Sequence, residues 1–212
     1  MTATLHAAPV VLTMTGAPLL EGAVLVQGRH VTDIGLRDVL ARCHPAARLR
    51  QWTAVMTPGL VNAHTHLEYG PPFADLALGP RAGWMERAEG RALTDAEWQA
   101  AARGSAHLLL MSGTTAVADV VTHGPGLTVA RSLGLQGISQ TGPLTGCQPT
   151  SVAVLCARSD TFLGVEQAPV ADLLGKGAVA LGTKSLASCP DLDLLAEVRR
   201  QGPRPAAGPR GR

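Results

Sequence analysis

The stretch Pro58-Gly59-Leu60-Val61-Asn62-Ala63-His64-Thr65-His66-Leu67-Glu68 decides how the rest of the chain is read. A Pro-Gly turn leads into a short apolar run that reads as a buried strand over Leu60–His66. Side chains two apart on a strand point the same way, so His64 and His66 face one side and Thr65 the other. Two imidazoles side by side at a strand end can hold one divalent metal from two directions.

Outward from this stretch, strands and helices alternate. Toward the N-terminus, Val10-Val11-Leu12, Ala23-Val24-Leu25-Val26 and Val31–Ile34 are β-rich runs set apart by turn residues, with a short helical turn at Asp38–Cys43. Toward the C-terminus, a Gly/Pro-broken stretch from Gly70 to Gly83 reads as an active-site loop. Thr94 followed three residues later by Glu97 is a capping-box signature. It opens a helix over about 95–112 with Ala96, Ala100, Gly104, His107 and Leu108 at helical spacing, stopped by Gly113. Thr114–Val121 is a second strand, apolar on both sides as in a parallel sheet. A helix near 127–133 and a strand near 135–139 complete two β-loop-α units.

The rhythm then breaks. Gln140 to Thr150 has no periodic apolar pattern and reads as a loop. Beyond it come a strand at Ser151–Cys156, a helix at 168–175 and a strand at 178–181. A final helix over 191–200 has Leu192, Leu195 and Ala196 on one face and Pro190 just before it. Residues 202–212 hold only Gly, Pro, Arg, Ala and read as a disordered tail.

Composition sets the class. The chain has 212 residues, 46% of them hydrophobic and 16% charged, which is globular usage. Aromatics are 3%, so the core rests on Ala, Val and Leu. A net charge of +2 without a basic run argues against a nucleic-acid partner. No apolar run reaches bilayer length, and no signal peptide is visible, so no membrane association is expected and the default is a soluble cytoplasmic protein. Four cysteines, with no Cys-x-x-Cys pair among them, fit free thiols in a reducing compartment.

Pro58 to His66 closely resembles the first metal-binding strand of the amidohydrolase superfamily, in its deaminase and chlorohydrolase-like branch. Two later segments are similar to the same family. Val154–Asp160 is similar to the seventh-strand region, where Cys-Pro-x-Ser-Asn is usual and Ala157 and Asp160 stand here instead. Ala180–Ser188 is similar to the eighth-strand motif Gly-Thr-Asp-Ser, with Lys184 in the aspartate's place.

The resemblance implies a (β/α) TIM-barrel-type fold with an N-terminal β-sandwich segment at 1–56, the barrel at 57–201 and the tail at 202–212. It implies His64 and His66 as ligands of a divalent metal, zinc first, with iron or manganese as alternatives. The reaction implied is hydrolysis of a non-peptide C–N bond by attack of metal-bound hydroxide on a small molecule. The form His64-Thr65-His66-Leu67-Glu68 looks most like deaminases of purine-nucleoside-type substrates.

Two departures change the expectation. The family's fourth to sixth strands carry two more ligating histidines and a proton-transfer glutamate, and no histidine follows His123 in this chain. His123, at the end of the second strand, stands where loops line a barrel mouth and is the one further candidate ligand, weighed against a plain loop residue. Lys184 is the second departure. A protonated lysine has no lone pair to donate, and a unit charge 4 Å from a dication is repelled by roughly 8 kcal/mol at an effective dielectric near 20. Residues 57–201 number 145 against the ~200 or more that eight strand-helix units need. The barrel is therefore expected to be incomplete, internally deleted and C-terminally truncated, with strand edges open to self-association. The reading is a metal-dependent hydrolase by descent, catalytically impaired, with no catalytic residue assigned. The alternative is a non-catalytic remnant or an assembly module.

Overall fold

The computed structural model describes residues 3–80, 82–124, 126–141, 152–166, 170–176 and 179–201. The expected tail at 202–212 and most of the expected loop at 140–150 lie outside them; Gln140 and Thr141 belong to a strand. The chain divides into two compact units, Met1–Pro58 and Gly59–Arg212.

The first unit is one sheet. Strands β1 (Ala3–Val11), β2 (Leu19–Gln27) and β3 (His30–Leu36) run antiparallel in sequence, and β4 (Arg48–Gln51) and β5 (Val55–Met56) pair parallel with successive parts of the free edge of β1. The apolar runs in the sequence fall at the C-terminal end of β1 and in the centres of β2 and β3; polar β4 carries no such run. Leu5, Ala7, Ala23 and Leu25 point to one face and pack with Leu40 of helix α1 (Arg37–Cys43).

Among the described residues the second unit holds five short parallel strands: β6 (Leu60–Thr65), β7 (Thr114–Val121), β8 (Gln136–Thr141), β9 (Ala153–Leu155) and β10 (Val179–Leu181). β6, β7 and β8 form one parallel sheet, and β9 pairs parallel with β10. The chain after β10 runs on beside β6, with Thr183 N and Lys184 N donating to His64 O (3.1 and 2.9 Å) and His66 N donating to Lys184 O (3.1 Å). The strands thus follow the order β9-β10-β6-β7-β8. They form an incomplete (β/α) barrel in which the two sequence blocks flank one another directly.

The connecting segments pack on this arc. They are α2 (Trp84–Glu89), α3 (Asp95–Met111), α4 (Gly126–Ser132), α5 (Ala157–Leu163), α6 (Val170–Lys176) and α7 (Leu194–Arg200). Leu67, Ala102, Ala106, Leu109, Val117 and Leu135 centre the main core. The expected loop at 70–83 contains a 3-10 helix, Pro71–Leu78, whose Phe73 and Leu76 are buried.

Two helix faces differ from the sequence expectation. On α3 the buried residues are Ala101, Ala102, Ser105, Ala106 and Leu109, while His107 and Leu108 face outward. Alanines lie all round this helix, so its spacing alone marks the inner face poorly. At the C-terminus Asp193 caps α7, its carboxylate accepting from Leu195 N (2.8 Å), so the helix starts beyond Pro190. Leu192, Leu194 and Glu197 are buried there, and Leu195 is exposed.

Candidate functional site

His64 and His66 close the C-terminal end of β6. Their Nε2 atoms lie 3.2 Å apart, with the rings tilted by 54°. Two nitrogens bound to one tetrahedral zinc at about 2.0–2.1 Å stand about 3.3 Å apart, so the spacing suits two ligands of a single ion. Burial lowers the pKa of His64, helped by the charge of Lys184 and opposed by Asp160. Burial, then His64 and Lys184, lower that of His66 to about 4. Both rings are neutral at pH 7, the state in which imidazole binds metal.

The backbone around them is pinned from the opposite strand. Buried Asn62 donates through Nδ2 to Thr183 Oγ1 (2.7 Å), and its Oδ1 accepts from His64 N (3.2 Å) and Thr183 N (3.3 Å). Thr65, facing away from the histidines, donates to Lys184 O (2.9 Å). Gly182 permits this approach: a Cβ there would stand 2.6 Å from His64 Cβ.

Lys184 stands beside the histidines with φ 55°, a left-handed conformation for a side chain-bearing residue. Its ammonium forms an ion pair with Asp160 of α5 at 2.7 Å. Among the described residues no group of three or more His, Cys, Asp or Glu side chains is arranged to hold a metal ion. The histidine pair therefore fits two positions of a metal, and the neighbouring residues do not complete the set.

His123 is placed away from the pair. Its ring is exposed and stacks on Trp98 (centroids 4.6 Å apart), and its N–H donates to Glu68 Oε1 (2.9 Å). Tyr69 links the two regions, meeting His66, Phe73, Trp98 and His123 edge-on. Asp95, Trp98, Gln99, Thr122, His123 and Gly124 line an open cavity of about 580 Å³.

Sequence reasoning gave no role to two buried carboxylates behind the site. Glu68 accepts from Thr122 N and His123 N, and Asp119 of β7 accepts from Leu67 N (3.0 Å). One oxygen of each has no partner. Burial raises Glu68 to about 7, against those backbone donors and with help from Asp119. It raises Asp119 to about 6, against the Leu67 donor. An acidic residue inside an otherwise apolar strand was the available signal for Asp119. Asp160 also had one: with Lys184 it forms an acid–base pair at two of the three positions where the chain departs from the family motifs.

Comparison with known proteins follows the same lines. The sequence profile of the Amidohydrolase family matches residues 55–143, which include the histidine pair and exclude Lys184. No curated protein matches the sequence. Among solved structures, the zinc complex of atrazine chlorohydrolase from Arthrobacter aurescens TC1 is 15% identical with a TM-score of 0.77, covering 92% of this chain and 75% of its own. An adenosine deaminase from Xanthomonas campestris with bound zinc is 14% identical with a TM-score of 0.71, covering 94% and 73%. Aminofutalosine deaminase from Helicobacter pylori, in complex with methylthio-coformycin, is 15% identical with a TM-score of 0.67, covering 93% and 80%. The profile match makes residues 55–143 similar to the Amidohydrolase family, and the likeness to these deaminases and chlorohydrolases is one of fold.

Proposed function

We propose that the chain is a metal-dependent hydrolase of non-peptide C–N bonds by descent, deaminase-like, whose own centre is catalytically impaired. His64 and His66 are its metal ligands, zinc being the ion suited to two neutral imidazoles 3.2 Å apart. The observation that carries the impairment is the Lys184–Asp160 ion pair beside them. A fixed cation there opposes a dication through charge repulsion, and it offers no acceptor for a proton. A small molecule reaching the histidines would meet Tyr69 and, behind it, the Trp98–His123 stack. Among the described residues Cys43, Cys156 and Cys189 are free thiols, which suits a reducing compartment such as the cytoplasm.

Metal content and ammonia release test the reading together. The purified full chain should hold less than stoichiometric zinc after dialysis and release no ammonia from purine nucleosides. Lys184→Asp should raise zinc affinity without restoring turnover. Stoichiometric zinc with ammonia release from the unaltered chain would sink the impairment.

A further inference from the structure

The pairing of β1 with β4 and β5 is interrupted between the two. Ala7 stands opposite Gln51 and Val10 opposite Val55, so Trp52, Thr53 and Ala54 face only Ala8 and Pro9. Pro9 has no N–H to give to the ladder, and the extra residue bulges out of it. Trp52 N donates to Ala7 O (2.8 Å) before the interruption, and Leu12 N donates to Met56 O (2.8 Å) beyond it. All three residues of the span are exposed.

A pair of side chains bridges this gap. Trp52 Nε1 donates to His6 Nδ1 at 3.1 Å. The two ring planes are only 13° apart with centroids separated by 6.1 Å, so the rings meet edge to edge and the in-plane lone pair of Nδ1 points along the indole N–H. An imidazole that accepts at Nδ1 carries its one proton on Nε2 and is neutral. His6 is paired in register with Val24 on β2 and with Arg50 on β4. The Arg50 guanidinium lies over the Trp52 ring, 5.1 Å from its centre.

We propose that His6 and Trp52 form an acid-released latch on the span from Trp52 to Ala54. Imidazole side chains change charge between about pH 5 and pH 8. The protonated ring has an N–H at both nitrogens, so a proton taken at Nδ1 removes the acceptor that Trp52 uses. It also sets a second positive charge beside Arg50. The other side chains facing His6 do not answer that charge. β2 presents Val24 and Val26, β5 presents Val55, and Arg48 is the further charged group on β4. The strand carboxylates Glu21 and Asp33 are paired with Arg37 and His44. Helix α1, with Arg37, Asp38 and Arg42, packs against Leu5 and Ala7 on the opposite face. Loss of the acceptor and repulsion from Arg50 therefore act in the same direction. Acid frees the Trp52 side chain and leaves the exposed span without its anchor, while the ladders on either side stay paired. Local opening confined to such a short segment needs far less free energy than unfolding the unit.

Proton–nitrogen NMR of the indole N–H groups of the full chain tests the latch between about pH 8 and pH 5. The Trp52 signal is identified by its loss in Trp52→Phe. In the wild type it is expected to move through a single-proton transition shared with the His6 ring protons. It should end where it stands in His6→Ala at all pH values. His6→Asn places an oxygen acceptor near Nδ1 that takes up no proton in this range, so its Trp52 signal should not move. The indole of Trp84, which donates to Ala187 O in the other unit, is the folding control. A wild-type Trp52 signal that does not move overturns the proposal, and so does one that moves equally in His6→Asn. Simultaneous collapse of the Trp84 signal also overturns it, because the release would then be part of general unfolding. The wild-type profile decides the question even where a variant fails to fold.

Discussion

Lys184 sits where two demands on one residue meet. Its N–H and carbonyl bind His64 and His66 across the strand gap, its φ of 55° is left-handed, and its ammonium is tied to Asp160. A left-handed conformation costs a side chain-bearing residue about 1–2 kcal/mol, which the two backbone bonds, the Thr65 hydroxyl bond and the ion pair offset. Asp119, across β6, is a different case, a buried acid with one oxygen unpartnered. Its folded pKa is raised from 3.8 to about 6, so the folded state holds this proton more tightly than the unfolded chain. The stabilisation is fully present below pH 3.8 and is lost as pH rises through about 6. Against an Asp119→Asn variant, wild type should lose about 1–2 kcal/mol between pH 4 and pH 8. Urea unfolding at the two pH values reads that difference, and equal gaps at both would contradict it.

Among the elements, α3 has the most clearly written start. Thr94 Oγ1 accepts from Glu97 N and the Glu97 carboxylate accepts from Thr94 N, so the capping box read in the sequence is present in full. Thr94→Ala should cost about 1 kcal/mol in chemical denaturation. The meeting of β6 with the end of β10 is more sensitive still. Gly182→Ala forces a methyl to within 2.6 Å of His64 Cβ, so one of the two backbones must move. A loss of about 1–3 kcal/mol is expected, with shifted His64 imidazole resonances in NMR as the local sign; unchanged resonances would mean the strands part elsewhere.

All five parallel strands were legible from short apolar runs between turn residues, and the ends of α3 from Thr94 and Gly113. The inner faces of α3 and α7 were not, because alanine and leucine recur around both helices. Nor were β4, whose sequence Arg-Leu-Arg-Gln is held by pairing with β1, and α5, whose buried Ser159 is hydrogen-bonded to Ser188 from a distant part of the chain. The histidine pair was legible at the site. The carboxylates behind it were not, since their positions depend on loops and strands brought together by the fold.

For the whole molecule, the incomplete ligand set has a thermodynamic consequence. An ion that binds the folded state alone raises stability in proportion to the logarithm of its concentration over Kd. Excess zinc should therefore shift the melting temperature of wild type little and that of Lys184→Asp more, with EDTA reversing both. Equal large shifts in the two proteins would remove the role assigned to Lys184.

The pairing of Thr65 with Lys184 also sets a timetable. The two residues are 119 positions apart in the chain. At a synthesis rate of about 5–20 residues per second, Lys184 is made about 6–24 s after the strand that carries His64 and His66. During that interval one edge of β6 is unpaired on the ribosome and open to any extended segment nearby. A nascent chain arrested before residue 182 should therefore be held by chaperones more strongly than one released at full length.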